Sequence, residues 1–231
     1  MMKIEAITFD NYKTLTYGSD SVTDIMPLVL DLLEEKIGKI NGFMEVYRKL
    51  DERYYLIRNT NHVEVRIKDI ALQALYELDY ILSDIREIVE ETFDDYMEER
   101  GFTWYPEVHS TIDNLRDQGY KLGLVSNIHW PVSRSMRKAL GEMFDVVTFS
   151  LTNGMRKPHE AIFHSTLRQM DVPPGLCAHV GDDYEADIIG AKKAGMYAVH
   201  VQREGKQEAP QADKIITSLD ELENIFSRYS R

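Results

Sequence analysis

Short apolar and β-branched runs recur along the chain at KIEAITFD (3–10), YKLGLVSN (120–127), DVVTFS (145–150), CAHVGD (177–182) and YAVHV (197–201), with a weaker one at KIITS (214–218). Such runs predict strands buried on both faces of a parallel sheet. Between the later ones, helical spacing of apolar residues predicts helices over 107–118, 131–141, 159–170 and 185–194. Strand–helix alternation of this kind predicts an open, Rossmann-like parallel α/β sheet. Residues from about 20 to 100 break the pattern. They hold no convincing strand and carry Leu, Ile, Glu, Lys and Tyr at helical spacing, as in DIMPLVLDLLEEKIG and DIREIVEETFDDYMEE. That stretch predicts several helices inserted after the first strand. TWYPEV (103–108) marks the return to the sheet, with Pro106 just before a helix start.

A chain of 231 residues can bury one large core, or one core and a smaller appended domain. A hydrophobic content of 43% is that of an ordinary globular protein and argues against disorder. No apolar run approaches the roughly 20 residues that span a bilayer. MMKIEAITFD lacks the basic start and long apolar core of a signal peptide, so a cytoplasmic location is expected. Cys177 is the single cysteine, which excludes an internal disulfide and reads as a small buried hydrophobe. The net charge of −12 repels nucleic acid and anionic lipid, and no dense basic patch offsets it. Tyr54, Tyr55, Tyr76 and Tyr80 therefore read as packing between helices rather than a stacking platform for bases. An anionic small-molecule substrate would need a local cation or metal to draw it in. Oligomeric state has no sequence signal.

Ligands of open α/β sheets bind outside the carboxyl ends of the strands. Those ends carry Asp10, then Ser126 and Asn127, then Asp182 and Asp183, and the strand ending FS leads through LTNGMR to Lys157. The topology would bring these residues, more than 170 positions apart at the extremes, to one crevice.

These residues resemble the haloacid dehalogenase superfamily of aspartate-nucleophile hydrolases. Asp10-Asn11-Tyr12-Lys13-Thr14-Leu15, after an apolar strand, is similar to its first motif, D-x-x-x-T-L/V. LGLVSN, ending in Ser126 and Asn127, is similar to the second, and RKPHEAIF, with Lys157, to the third. GDDYEADIIGAKKAGM (181–196) meets the fourth, G-D-[DS]-x-x-x-D-x-x-G-A-x-x-A-G, in full. The first motif alone is weak, but the ordered set is specific. The resemblance covers 1–16 and 103–231 and implies an α/β catalytic core there. It implies a helical cap over 17–102, matched only in position and helical character, that closes over the crevice and sets specificity.

By the same resemblance Asp10 attacks the substrate and forms a covalent intermediate that water hydrolyses. Thr14 and Ser126, with Asn127 beside them, would bond the anion, and Lys157 would neutralise developing negative charge. Taken singly, each hydroxyl is only a turn residue. Three carboxylates in a small volume raise one another's pKa, and a divalent cation removes that conflict; hard oxygen ligands suit Mg²⁺. The implied ligands are Asp10, the backbone carbonyl of Tyr12, Asp182 and Asp183, with Asp187 bracing them from one layer out. Gly181, Gly190 and Gly195 read as packing and turn requirements, not as a phosphate loop.

Tyr12 departs from the phosphatase majority of the family, which place a second, proton-donating Asp two residues after the nucleophile. General acid help is worth about 10²–10⁴ in rate, and a phenol with its high ordinary pKa replaces it poorly at neutral pH. Leaving groups that depart without a proton are then favoured: acyl phosphates, aryl phosphates or a halide. The dehalogenase branch carries D-x-Y-G-T here, uses no metal and holds its substrate with a cap arginine. This chain has Lys13 for that glycine and GDD in the fourth motif; Arg48, Arg53, Arg58 and Arg66 are available but match no motif. The expected function is an Mg²⁺-dependent phosphatase for a small organic phosphate, working through an aspartyl-phosphate. The alternatives are a metal-independent 2-haloacid dehalogenase and a non-catalytic binder of a phosphorylated metabolite.

Overall fold

The computed structural model describes residues 3–17, 22–100, 102–203, 205 and 208–226, the side chains of 22–24, 99 and 100 excepted. Residues 18–21 and 101 of the expected cap, and the tail from 227, lie outside the described residues. In chain order come β1 (Ala6–Phe9), β2 (Thr16–Tyr17), α1 (Val22–Ile37), α2 (Phe43–Asn61), α3 (Ile67–Glu77), α4 (Leu82–Arg100), β3 (Thr103–Trp104), α5 (Val108–Asp117) and β4 (Lys121–Ser126). Then follow α6 (Arg134–Met143), β5 (Val146–Phe149), α7 (Ser150–Asn153), α8 (Glu160–Met170), β6 (Cys177–Gly181), α9 (Gly190–Lys193), β7 (Tyr197–Val201), β8 (Lys214–Ile216) and α10 (Glu221–Phe226). Two compact units result: Met1–Tyr17, Thr103–Asn127 and Lys138–Arg231 form the first, and Gly18–Phe102 with Ile128–Arg137 the second.

The first unit is built on a six-stranded parallel sheet in the order β5-β4-β1-β6-β7-β8. β1, β4 and β6 are buried almost throughout, which is why their sequences are continuous apolar runs. The chain steps from β1 out to β4 and β5, then returns to the other side of β1 with β6. That reversal makes the carboxyl ends of β1 and β6 the topological switch point where α/β sheets bind ligands. β2 and β3 form a separate antiparallel pair, Thr16 opposite Trp104 and Tyr17 opposite Thr103. Two-residue strands carry no readable periodicity, and the sequence does not announce them. After β6, residues Tyr184–Ile189 wind as a wide π-helical turn before α9 continues the helix. Such widened turns favour functional sites.

The second unit holds α1–α4 around one apolar cluster. Met26, Val29 and Leu33 on α1, Ile67, Ile70, Ala71, Ala74 and Leu75 on α3, and Ile85, Val89 and Phe93 on α4 recur at three- and four-residue spacing and are buried together. The sequence places 128–137 with the sheet, but the structure groups it with these helices. Ile67 N–H donates to the His129 carbonyl at 2.7 Å, and Trp130 packs against the cluster. The Glu98 carboxylate accepts from the N–H groups of Arg134 (2.6 Å) and Ser135 (3.3 Å), closing the first turn of α6 from outside. Among the described residues no helix is long and apolar enough to cross a membrane.

Candidate active site

β1 ends at Phe9, which stands opposite Leu124 of β4 and Val180 of β6. Asp10 therefore emerges level with Gly181, and its N–H donates to the Val180 carbonyl at 2.9 Å. The next residues close a tight turn: the Asn11 carbonyl accepts from Leu15 N–H (2.8 Å) and Thr16 N–H (2.9 Å), while Lys13 N–H donates to the Thr16 carbonyl (2.7 Å). Lys13 sits at φ 60° to make that turn, a left-handed conformation that glycine adopts without strain. The lysine side chain is exposed, its ammonium 5.8 Å over the Tyr12 ring. The Tyr12 ring is itself 37% exposed.

Lys157 reaches the site from the loop after α7. Its backbone is clamped at two points by one amide: Lys157 N–H donates to Asn127 Oδ1 (2.7 Å), and Asn127 Nδ2 donates to the Lys157 carbonyl (2.9 Å). The buried ammonium lies 2.5 Å from Asp10 Oδ1 and 2.6 Å from Asp187 Oδ1. Gly190 lets α9 approach this loop, because a Cβ there would stand 3.0 Å from Pro158 Cα and 2.8 Å from the Phe163 ring. Asn127 thus bonds the backbone of Lys157. Ser126 is buried at the end of β4, one residue beyond the level of Asp10, and among the described residues no hydrogen bond ties it to the carboxylates.

Asp182 and Asp187, not Asp182 and Asp183, join Asp10. Carboxylate oxygens of Asp10, Asp182 and Asp187 lie within 4.8 Å of one another. Asp183 is exposed and serves the helix that follows: its Oδ1 accepts from Ala186 N–H at 2.8 Å, an N-cap. One turn later Asp187 folds back beneath the strand end, where its Oδ2 accepts the Asp183 N–H at 3.0 Å and its Oδ1 faces His179 Nε2 at 3.1 Å. Space for it exists because residue 181 has no side chain; a Cβ there would lie 2.2 Å from Asp187 Cγ. The sequence assigns Asp183 to the cluster and Asp187 to a bracing place one layer out, although both are acids after the same strand. The adjacent acid is the helix cap, and the acid one turn on returns to the site.

Burial pushes the Asp10 carboxyl up to about 7, against the pull of Lys157 and helped by Asp187. Burial, then repulsion from Asp10 and Asp187, pushes Asp182 up to about 8. Asp187 moves the other way: burial opposes its ionisation, but Lys157 and the His179 hydrogen bond outweigh it and hold the carboxyl well below the usual range. The Lys157 ammonium, although burial opposes it, is held charged by Asp10 and Asp187. Ionising all three carboxylates against one ammonium would leave two negative charges in a largely buried space, and the ligand atoms the three residues offer are hard oxygens. That set fits a magnesium ion. Asp187 is already saturated by Lys157, His179 and the Asp183 N–H, so ligation would fall to Asp10 and Asp182.

Four supporting residues escaped the sequence reading. Thr8 and His179 lie buried behind Asp187. His200 Nε2 lies 2.8 Å from the Asp182 carbonyl. Arg203 donates to the Thr14 carbonyl at 2.6 Å, pairs with Glu107 and stacks 3.8 Å over the Tyr105 ring. Thr14 in turn reaches Asp182 Oδ1 at 3.4 Å. The signal was present for three of them: Thr8, His179 and His200 are polar residues inside otherwise apolar strands.

A sequence model described as haloacid dehalogenase-like hydrolase matches residues 4–195. A glyceraldehyde 3-phosphate phosphatase of Methanothermobacter thermautotrophicus is 36% identical over 104 residues, 43% of this chain and 45% of that protein. A phosphoserine phosphatase of Thermus thermophilus is 32% identical over 143 residues, 61% of this chain and 56% of that protein. The chain spans about half the length of the curated relatives it matches. A haloacid dehalogenase-family phosphatase from Thermococcus onnurineus, 28% identical, superposes over 96% of this chain and 97% of that one with a TM-score of 0.65. A 2-haloacid dehalogenase from Pseudomonas syringae superposes over 98% and 99% with a TM-score of 0.77 at 24% identity, a likeness of fold.

Proposed function

The chain belongs to the haloacid dehalogenase-like hydrolases, and from that premise we propose that it is an Mg²⁺-dependent phosphatase acting on a small organic phosphate through an aspartyl-phosphate at Asp10. The observation that carries the proposal is the cluster of Asp10, Asp182 and Asp187 around the Lys157 ammonium, with Asp10 and Asp182 held up to about 7 and 8. The phosphatase names of the relatives support it.

The Asp10 carboxylate attacks phosphorus, the bond from phosphorus to the leaving oxygen breaks, and the phosphoryl group stays on Asp10. Water then attacks that phosphorus, inorganic phosphate departs and the carboxylate returns. Lys157 keeps Asp10 oriented and offsets charge on the transferred group. Thr14, Ser126 and the backbone N–H groups near them hold the phosphoryl oxygens. Asp10 and Asp182, with the Tyr12 carbonyl, would hold magnesium, which when bound would supply a Lewis acid that screens the carboxylates and the phosphate. Tyr12 stands where the phosphatase majority place a proton-donating carboxyl, so acyl and aryl phosphates, whose leaving groups depart without a proton, are the substrates best served.

Tyr12 also favours a second reading, dehalogenation, in which Asp10 attacks carbon and a halide leaves. A substrate carboxylate would then need a cation: Arg66 is bonded to Asp69 at 2.6 Å, whereas Arg58 meets Asp51 at 3.1 Å through Nη2 alone and its buried Nη1 has no partner among the described residues. One experiment separates the two. With p-nitrophenyl phosphate, EDTA is expected to lower the rate at least about a hundredfold, and Asp10→Asn at least about a thousandfold. Activity that ignores both changes ends the proposal, and chloride release from 2-chloropropionate without metal replaces it.

A further inference from the structure

Behind the carboxylate cluster sit two polar side chains to which the proposed chemistry gives no task. Thr8 and His179 are fully buried, and they are register partners on the adjacent strands β1 and β6. Thr8 Oγ1 lies 2.9 Å from His179 Nδ1, and His179 Nε2 lies 3.1 Å from Asp187 Oδ1. The Phe163 ring stands edge-on to the imidazole at 5.0 Å and walls it in.

The network fixes the hydrogens. Asp187, ionised against Lys157, can only accept, so Nε2 carries the imidazole hydrogen. Burial lowers the imidazole pKa and keeps the ring neutral, which leaves Nδ1 as an acceptor for the Thr8 hydroxyl. A second contact of that hydroxyl, to the Ala178 carbonyl, is longer at 3.3 Å. Hydrogen bonds therefore run in one direction, from Thr8 to His179 to Asp187. Asp187 is gripped from three elements: the β6 imidazole, the Lys157 ammonium and the Asp183 N–H. Without the imidazole, the same oxygen that holds Lys157 would lose its donor on the buried side, and the carboxylate could turn on its own Cα–Cβ bond. Lys157 would follow it away from Asp10.

We propose that Thr8 and His179 form a positioning device: together they lock the orientation of Asp187 and, through it, hold the Lys157 ammonium on the Asp10 carboxylate. Removing a buried group that orients a charged site residue typically lowers activity about 10- to 100-fold. The kinetic arm rests on the phosphatase reading above; the chemical arm does not. His179→Gln keeps an amide donor for Asp187, whereas His179→Leu fills the space without one. With p-nitrophenyl phosphate and Mg²⁺, His179→Leu is expected to lose kcat about 10- to 100-fold with KM within about threefold, while His179→Gln stays within about threefold of the parent. Acetylation of Lys157, followed by mass spectrometry without substrate, is expected to speed up in His179→Leu and not in His179→Gln.

Equal kcat and equal acetylation in the two variants, at equal melting temperature, overturns the proposal. So does a loss in both that follows melting temperature alone. Should His179→Leu not fold, Thr8→Val, which keeps the shape and removes the hydroxyl, is compared with Thr8→Ser; identical kcat and acetylation in that pair overturns it. A parent protein inactive on every phosphate would sink the phosphatase reading and leave the acetylation comparison to decide this one.

Discussion

Under the proposed chemistry, Tyr12 sets the range of leaving groups by the carboxyl it lacks. A carboxylic acid at the same position would supply the general-acid proton that a departing alkoxide takes up, and Tyr12 brings no carboxyl. Tyr12→Asp is expected to raise kcat/KM for an alkyl phosphate about a hundredfold relative to acetyl phosphate, which needs no proton. An unchanged ratio would remove Tyr12 from the account of specificity. Its neighbour Lys13 explains itself by backbone: the turn needs φ 60° there, and lysine tolerates it at some strain. At this scale the sequence pointed to a meeting of Asp10, Lys157 and Asp182 through strand ends and ordered motifs, and the structure brings the three side chains together. It was ambiguous between Asp183 and Asp187, because cap and cluster member are both acids after the same strand. Only the path of the chain tells which one turns back.

Gly181 shows how an element's end is shaped for the residue that follows. β6 needs no unusual backbone at this position; it needs the absence of a methyl group, since Asp187 Oδ2 and Cγ occupy the space where one would be. Gly181→Ala is expected to expel the Asp187 carboxylate from its bonds to Lys157, His179 and the Asp183 N–H. Breaking a buried ion pair of this kind costs about 3–5 kcal/mol, which denaturant unfolding would register, and activity should fall with it. Gly175→Ala, ahead of β6 with nothing within 4 Å of the added carbon, serves as the control and should stay within about 1 kcal/mol. Equal stability in the two variants would mean that Asp187 is held less tightly than its contacts indicate. The strands and helices themselves were legible because each buries an unbroken apolar run or a regular stripe. β2, β3 and the grouping of 128–137 with the helices were not, since short pairings and a cap supplied by Glu98 depend on partners distant in sequence.

Across the whole molecule the carboxylate cluster ties stability to pH. Asp10 and Asp182 shift from 3.8 to about 7 and about 8. Between about pH 4 and pH 8 the folded chain therefore holds more protons than the unfolded one, and its stability falls as pH rises through that window. Asp187, shifted down, acts with the opposite sign: it contributes stability above the ordinary carboxylate range and loses it on acidification. In EDTA the melting temperature should thus be highest near pH 5 and drop by at least about 5 °C by pH 8, where about 1 kcal/mol corresponds to 2–4 °C for a chain of this size. The overall charge of −12 also disfavours high pH, but through many dispersed groups. Asp182→Asn separates the two causes: it removes one of the two shifted acids and should flatten the slope markedly while changing the net charge by a single unit. Magnesium makes the complementary test. Protons and the cation compete for the same oxygens, so Mg²⁺ should raise the melting temperature strongly at pH 8 and little at pH 5. A pH-independent melting temperature in EDTA would show that the cluster relaxes apart when empty of charge-balancing partners. An Mg²⁺ effect that survives Asp182→Asn at full size would move the ion to another part of the chain.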